Sequence, residues 1–295
     1  MQSNNPVFRR SEEFNASNAY GNQTYAGNGA GHQGYGQTGY TDPASWSTGE
    51  PGQPGHAPAP VATGGPMTVD SVVQKTAISL AVVIVTAFAT WVLTPPITSA
   101  TVENGQLGGL IALMTIGSLG AFVLSMVNSF KRVISPALVL AFAALEGIAL
   151  GALSKFFDAQ FGDGVVMGAV LGTFAAFAGT LAAYKFFEIK VGAKFRMFVI
   201  AAVFGMIGLS LMELVLSMFS AELGLFGVSG LGMLTAFAGL ALGIFMLILD
   251  FDFVEQGVAN GIPERESWRA AFALTVSLVW IYTNLLRILA FFSQD

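Results

Sequence analysis

Along residues 67–295 the hydrophobic positions fall into seven long blocks separated by short polar breaks. The blocks run approximately from Thr76 to Val92, Leu107 to Val127, Ser135 to Leu153, Val165 to Tyr184, Met197 to Met218, Val228 to Leu249 and Ala270 to Phe292. Each is apolar on all sides and nearly free of charge, and about 16 to 23 residues is the length that crosses ~30 Å of hydrocarbon as a helix. The breaks carry turn chemistry. Thr94-Pro95-Pro96, Ser135-Pro136, Phe161-Gly162-Asp163-Gly164 and Asn260-Gly261-Ile262-Pro263 do not readily continue a helix. Pro263 followed by Glu264 and Glu266 suits a helix start, so the seventh helix is predicted to begin before its lipid-buried part. The blocks are too long for the roughly ten-residue alternating strands of a membrane barrel. The pattern predicts an all-α, polytopic membrane protein with seven transmembrane helices.

Residues 1–66 read differently. They are rich in Gly, Gln, Asn, Ser, Thr and Pro, with the runs GNGAGHQGYGQTGY and PGQPGHAPAP. Such a segment buries too little apolar area to offset its ordering entropy and is predicted to be a disordered cytoplasmic tail ahead of a transmembrane domain at 67–295. Four of the six tyrosines, Tyr20, Tyr25, Tyr35 and Tyr40, fall in the tail; an inert linker is the simpler reading, a docking arm the alternative. No basic stretch leads into an apolar run near Met1, so the first hydrophobic block is expected to direct insertion itself.

Composition narrows the function. The chain is 54% hydrophobic and 11% charged, against about 25% charged in soluble domains. Its net charge of -5 gives no footprint for nucleic acid. There is no cysteine, and the two histidines, His32 and His56, lie in the tail. A Ser-His intramembrane protease lacks its base here, and the Gly-x-Gly-Asp segment of di-aspartyl proteases is missing, so neither an enzyme nor a bound cofactor is expected. Eleven of the 13 Lys and Arg residues lie in the amino-terminal segment or in the breaks after blocks two, four and six; Lys155 and Arg287 lie on the other side. The positive-inside rule then puts the amino terminus in the cytoplasm and the carboxyl terminus outside a cell membrane.

Glycines recur four apart at Gly147 and Gly151, Gly168 and Gly172, and Gly239 and Gly243. Small residues at this spacing let helix backbones approach in lipid, so these pairs are read as seams within the bundle and secondarily as candidates for homo-oligomer contacts. Thr115, Ser118, Ser125 and Ser129 share one face of block two and suit interhelix bonding or a wet lining.

Charges inside the blocks are costly, about 2.5 to 3.5 kcal/mol each at a helix centre, and so mark function by default. Glu146 stands eleven residues after Ser135, about 16 Å into the membrane. Glu213, Asp250, Asp252 and Arg287 complete the charges, with the amide Asn284 beside Arg287 in the same set of candidates. The two members of Asp250-Phe251-Asp252 point roughly 200° apart on a helix, so only one faces a common interior site. Oxygen ligands without His or Cys suit protons and hard cations such as calcium, which makes Asp250 and Asp252 candidate calcium ligands and the set a candidate ion pathway or pH switch. The alternative is a structural role: an Arg-carboxylate pair, or an Asp reaching the interface.

Several segments together resemble the transmembrane Bax-inhibitor-motif family, in particular its bacterial YccA-type branch. They are Met67-Thr68-Val69-Asp70-Ser71-Val72-Val73-Gln74-Lys75-Thr76, Leu145-Glu146-Gly147 with Gly151, Asp250-Phe251-Asp252-Phe253-Val254-Glu255-Gln256-Gly257, Glu266-Ser267-Trp268-Arg269-Ala270-Ala271-Phe272, and Trp280-Ile281-Tyr282. Ser3-Asn4-Asn5-Pro6-Val7-Phe8 is similar to the start of actinobacterial members. The resemblance implies six helices wrapped around the last, a pH-sensitive calcium leak and a role in stress tolerance. It also implies a sensor in which a carboxylate on helix six, here Asp250 or Asp252, faces a carboxylate on helix seven. At that second position this chain has Asn284, which can hydrogen-bond a protonated Asp but cannot share its proton. The resemblance further suggests regulation of a membrane protease partner as the competing function.

Overall fold

The computed structural model describes residues 65–98, 107–162, 164–219, 223–227 and 229–294. The tail, with its tyrosines and histidines, lies outside the described residues, as do Arg9, Arg10 and Asp163.

Among the described residues, seven α-helices are long and apolar enough to cross a membrane. They are α1 Val69–Leu93, α2 Leu107–Phe130, α3 Pro136–Phe161, α4 Val165–Phe186, α5 Ala193–Met218, α6 Gly230–Ala259 and α7 Ser267–Phe292. All seven predicted blocks fall on helices, each helix running past its block at one end or both. Thr68 opens α1 with a capping box: its hydroxyl accepts from Ser71 N at 3.1 Å, and Ser71 Oγ accepts from Thr68 N at 3.2 Å. Pro136 occupies the first turn of α3, where its missing N–H is no loss. Ser229 caps α6 by accepting from Gly232 N at 3.0 Å. The predicted early start of the last helix is a 3-10 turn, Glu264–Glu266, running directly into α7. With 30 residues α6 is about 45 Å long, more than the hydrocarbon needs, so its last turns reach beyond it.

α7 is the most enclosed helix, and no residue of it before Phe292 is exposed. α1, α3, α4 and α6 pack directly on it, while α2 lies chiefly on α3 and α5 on α6. These two outer helices still meet α7 through side chains. Phe272 joins Ala121, Val139 and Phe142, with an edge-to-face contact to Phe142 at 5.0 Å. Trp280 packs beside Val199, Met206 and Leu242.

The three glycine pairs lie in helix seams. A Cβ on Gly147 would strike Thr86 and Val83 of α1, and one on Gly151 would strike the Ala87 backbone. Gly168 and Gly172 face Leu289 and Leu285 of α7, and Gly239 and Gly243 face Asn284 and Ile281. Within the bundle all three pairs are therefore already used. The hydroxyl face of α2 is not an interior lining: Thr115, Ser118 and Ser129 are exposed, and Thr115 Oγ1 bonds its own helix at Ile111 O, 2.8 Å away. The buried polar residue of α2 is instead Asn128, whose Nδ2 donates to Leu138 O at 3.2 Å.

The backbone contact at Gly151 sets a test. Gly151→Leu should lower thermal stability sharply, because a helix backbone cannot yield as a side chain can, and overpacking costs about 1–3 kcal/mol or more. Gly205→Ala, with open space at its Cβ, should melt like the parent protein. Melting of both variants in detergent measures the difference.

Candidate functional site: charges within the helices

The intramembrane charges divide by what they touch. Lys155, near the end of α3 and 9% exposed, sends Nζ to Trp91 O at 2.8 Å, Thr94 O at 2.6 Å and Thr94 Oγ1 at 2.9 Å. Trp91 O and Thr94 O are carbonyls without a backbone N–H donor at the end of α1, where a cation also meets the negative end of the helix dipole. Arg287 Nη2 donates to Leu225 O and Gly232 O, both at 2.8 Å, and to Thr235 Oγ1 at 3.0 Å, with its guanidinium 5.3 Å from the Phe226 ring centre. Thr235 in turn bonds Leu225 O. Glu213 Oε1 grips the same connection from α5, accepting from Gly224 N at 2.8 Å and Leu225 N at 3.3 Å. Leu225 is thus held by Glu213 at its N–H and by Arg287 at its carbonyl. Arg287 and Glu213 do not pair with each other; each fastens the α5–α6 connection. Sequence reasoning placed both among the pathway candidates, and their contacts are those of a structural clamp.

Asp250 and Asp252 diverge, as their spacing on a helix requires. Asp252 is buried and meets Arg196 of α5: Nη2 lies 2.9 Å from Oδ2, and Gln256 Nε2 donates to the same oxygen at 2.7 Å. Three residues further along α6, Glu255 accepts from Tyr184 of α4 at 2.5 Å. Asp250 turns toward α7, where Ser277 Oγ lies 2.5 Å from its Oδ2. The two aspartates therefore form no joint chelate. Among the described residues no group of three or more His, Cys, Asp or Glu side chains could hold a metal ion.

The facing pair implied for helices six and seven is also arranged differently. Asn284 is buried against Gly239, eleven residues before Asp250 on α6 and so about 16 Å away along its axis. Its Nδ2 donates to Trp280 O at 2.7 Å, and Arg287 Nη1 donates to its Oδ1 at 3.4 Å. The α7 partner of Asp250 is Ser277, which sequence reasoning missed. Spacing could not have found it, because the rotation of two helices relative to each other is set by their contacts.

Glu146 stands apart. It is half-buried in the middle of α3, and no hydrogen bond or ion pair reaches its carboxylate among the described residues. α3 and α6 each pack on α7 rather than closely on each other, so Glu146 and Asp250 lie on helices that flank the same central one.

At the end of the bundle where α1 begins, a polar seam ties α1 to the start of α7. Met67 N donates to Ile262 O at 2.7 Å, Ser71 and Ser267 share a hydrogen bond of 2.6 Å, and Lys75 pairs with Glu264 at 3.0 Å. Arg269 pairs with Glu266 at 2.7 Å and donates to Arg132 O at 2.9 Å, drawing in the α2–α3 connection.

The family model described as Bax inhibitor 1 like matches residues 5–294, nearly the whole chain, and the protein belongs to that family. No curated protein sequence matches the chain.

The clamp on Leu225 is directly testable. Arg287→Met removes charged hydrogen bonds worth about 1.5–3 kcal/mol each and leaves buried carbonyls unpaired. It should lower the melting temperature and open residues 223–227 to limited proteolysis. Lys155→Met should destabilise the end of α1 without exposing that connection.

Proposed function

We propose that this member of the Bax inhibitor 1 like family is a passive cation leak of the cell membrane, with calcium as the permeant ion and pH as its control. One observation carries the reading: among the described residues, Glu146 and Asp250 are the carboxylates deep in the spans held neither by a basic group, as Asp252 is, nor by backbone amides, as Glu213 is. Lys155, Arg287, Glu213 and Asp252 are each engaged by carbonyls, amides or a counter-ion. Asp250 has a neutral hydroxyl partner, and Glu146 has no described partner. A carboxylate without a counter-ion in hydrocarbon is costly, and the two ways to relieve that cost are to bind a proton or to attract a cation. When ionised, both groups offer hard oxygen ligands to a passing calcium ion; when protonated they offer none. Flux in this scheme rises with pH. The Arg196–Asp252 pair stands between Asp250 and the end of α6, where its separation would open the route toward the basic connections.

The basic connections fall at the end carrying the start of α1, so the amino terminus is cytoplasmic and the carboxyl terminus outside in this proposal. A limited calcium leak also fits the role in stress tolerance that the resemblance implies. Regulation of a membrane protease, with the tail as its docking arm, is the second reading. No enzymatic step is proposed.

Calcium-dye liposomes containing the full chain test this. Wild-type protein should admit calcium faster as pH rises. Asp250→Asn should flatten the pH profile, and Glu146→Gln should slow entry roughly tenfold, equivalent to ~1.4 kcal/mol of lost attraction. Arg196→Ala should raise entry at fixed pH. Entry no faster than into empty liposomes at any pH would reject the leak.

A further inference from the structure

α1 and α4 both pack on α7 but not closely on each other. Between them lies an open groove of about 380 Å³, whose floor reaches Leu278 and Tyr282 of α7 and Leu150 of α3. Its outer walls continue into the membrane-facing surface: Ile84, Phe88, Met167 and Phe174 line it and are themselves exposed. At this groove the otherwise enclosed central helix opens toward lipid.

We propose that this groove holds one acyl chain of a membrane phospholipid directly against α7. Three observations lead there. The first is chemical. The lining is apolar almost throughout, and its hydroxyls are already satisfied: Ser154 and Tyr282 share a hydrogen bond of 2.6 Å, Ser154 Oγ also bonds Leu150 O at 2.5 Å, and Thr173 Oγ1 bonds Ala169 O at 2.7 Å. A hydrocarbon chain entering such a site strips no hydroxyl of its partner, whereas water would find few groups to bond.

The second observation is dimensional. Along α1 the lining runs from Leu80 to Trp91, twelve residues, whose eleven rises at ~1.5 Å each span about 16 Å. That is about half of a ~30 Å hydrocarbon core, the depth of one leaflet and so of one acyl chain. The third is medium. An open groove within the spanning segments faces lipid tails at high concentration, so the occupant most available to it is the bilayer itself. Occupancy places hydrocarbon against the same helix that carries Ser277, Asn284 and Arg287, and makes α7 a lipid-contacting element at this window.

Photo-cross-linking of the full chain in liposomes containing a phospholipid with a diazirine in its acyl chain tests the assignment. Wild-type protein should give adducts within 278–282 of α7 that plateau as labelled lipid increases. Val170→Trp, which fills the groove from α4, should abolish those adducts. Leu171→Trp, on the exposed face beside it, should retain them. Unchanged melting of both variants shows that each is folded, and Val166→Phe fills the same space should Val170→Trp unfold. Absence of α7 adducts in the wild type, adducts that never plateau, or adducts that persist in the folded groove-filled variant would each overturn the proposal.

Discussion

Inside hydrocarbon there is no water to satisfy a donor, an acceptor or a charge, so each polar group that enters must find its partner in the chain itself. This constraint organises the bundle more than apolar burial does, because lipid tails are as hydrophobic as the helix faces they cover. Its effects are local and specific. The carbonyls without a backbone N–H donor at the end of α1 take the ammonium of Lys155, and the connection from α5 to α6 takes a carboxylate from one side and a guanidinium from the other. Hydroxyls within the helices return to their own backbones, as Thr86 does to Val82 O at 2.8 Å and Thr275 to Ala271 O at 2.7 Å.

Close helix contact is the second consequence. With little hydrophobic drive between helices, van der Waals contact must be won by approach, and the glycine seams permit it. Two of the three seams face α7 and the third presses α1 onto α3. α7 becomes the common neighbour of four helices, and groups attached to it are mechanically linked. Ser277 binds Asp250, Asn284 fills the space at Gly239, Tyr282 bonds Ser154, and Arg287 holds the connection before α6. A displacement of α7 would be felt at all four.

Much of this was legible in the sequence, and the boundary of legibility has a physical cause. Apolar length and turn residues mark the seven helices because lipid demands a long apolar run regardless of tertiary context. The opposite facing of Asp250 and Asp252 is equally local, a matter of helical periodicity. Partners are not local. That Arg287 would meet backbone carbonyls, that Lys155 would cap another helix, and that Asp250 would face Ser277 all depend on rotations and translations between helices that no spacing encodes. The segments that carry the family resemblance show the same division. Met67 to Thr76 and Glu266 to Phe272 read as helix openings in sequence, but in the fold they are two halves of one polar seam, joined at Ser71–Ser267 and Lys75–Glu264.

Asn284 shows how the same constraint shapes the candidate site. A carboxylate at this position would stand beside Arg287, whose Nη1 already lies 3.4 Å from Asn284 Oδ1. An ion pair there would compete with the carbonyls of Leu225 and Gly232 for the guanidinium and loosen the grip on the α5–α6 connection. The amide avoids that competition. It satisfies its own donor at Trp280 O, accepts weakly from Arg287 and leaves the guanidinium to the connection. The amide therefore favours the clamp at that level of α7. In the proposed leak, acid–base chemistry then falls to carboxylates clear of Arg287: Asp250, about 16 Å further along α6, and Glu146 on α3.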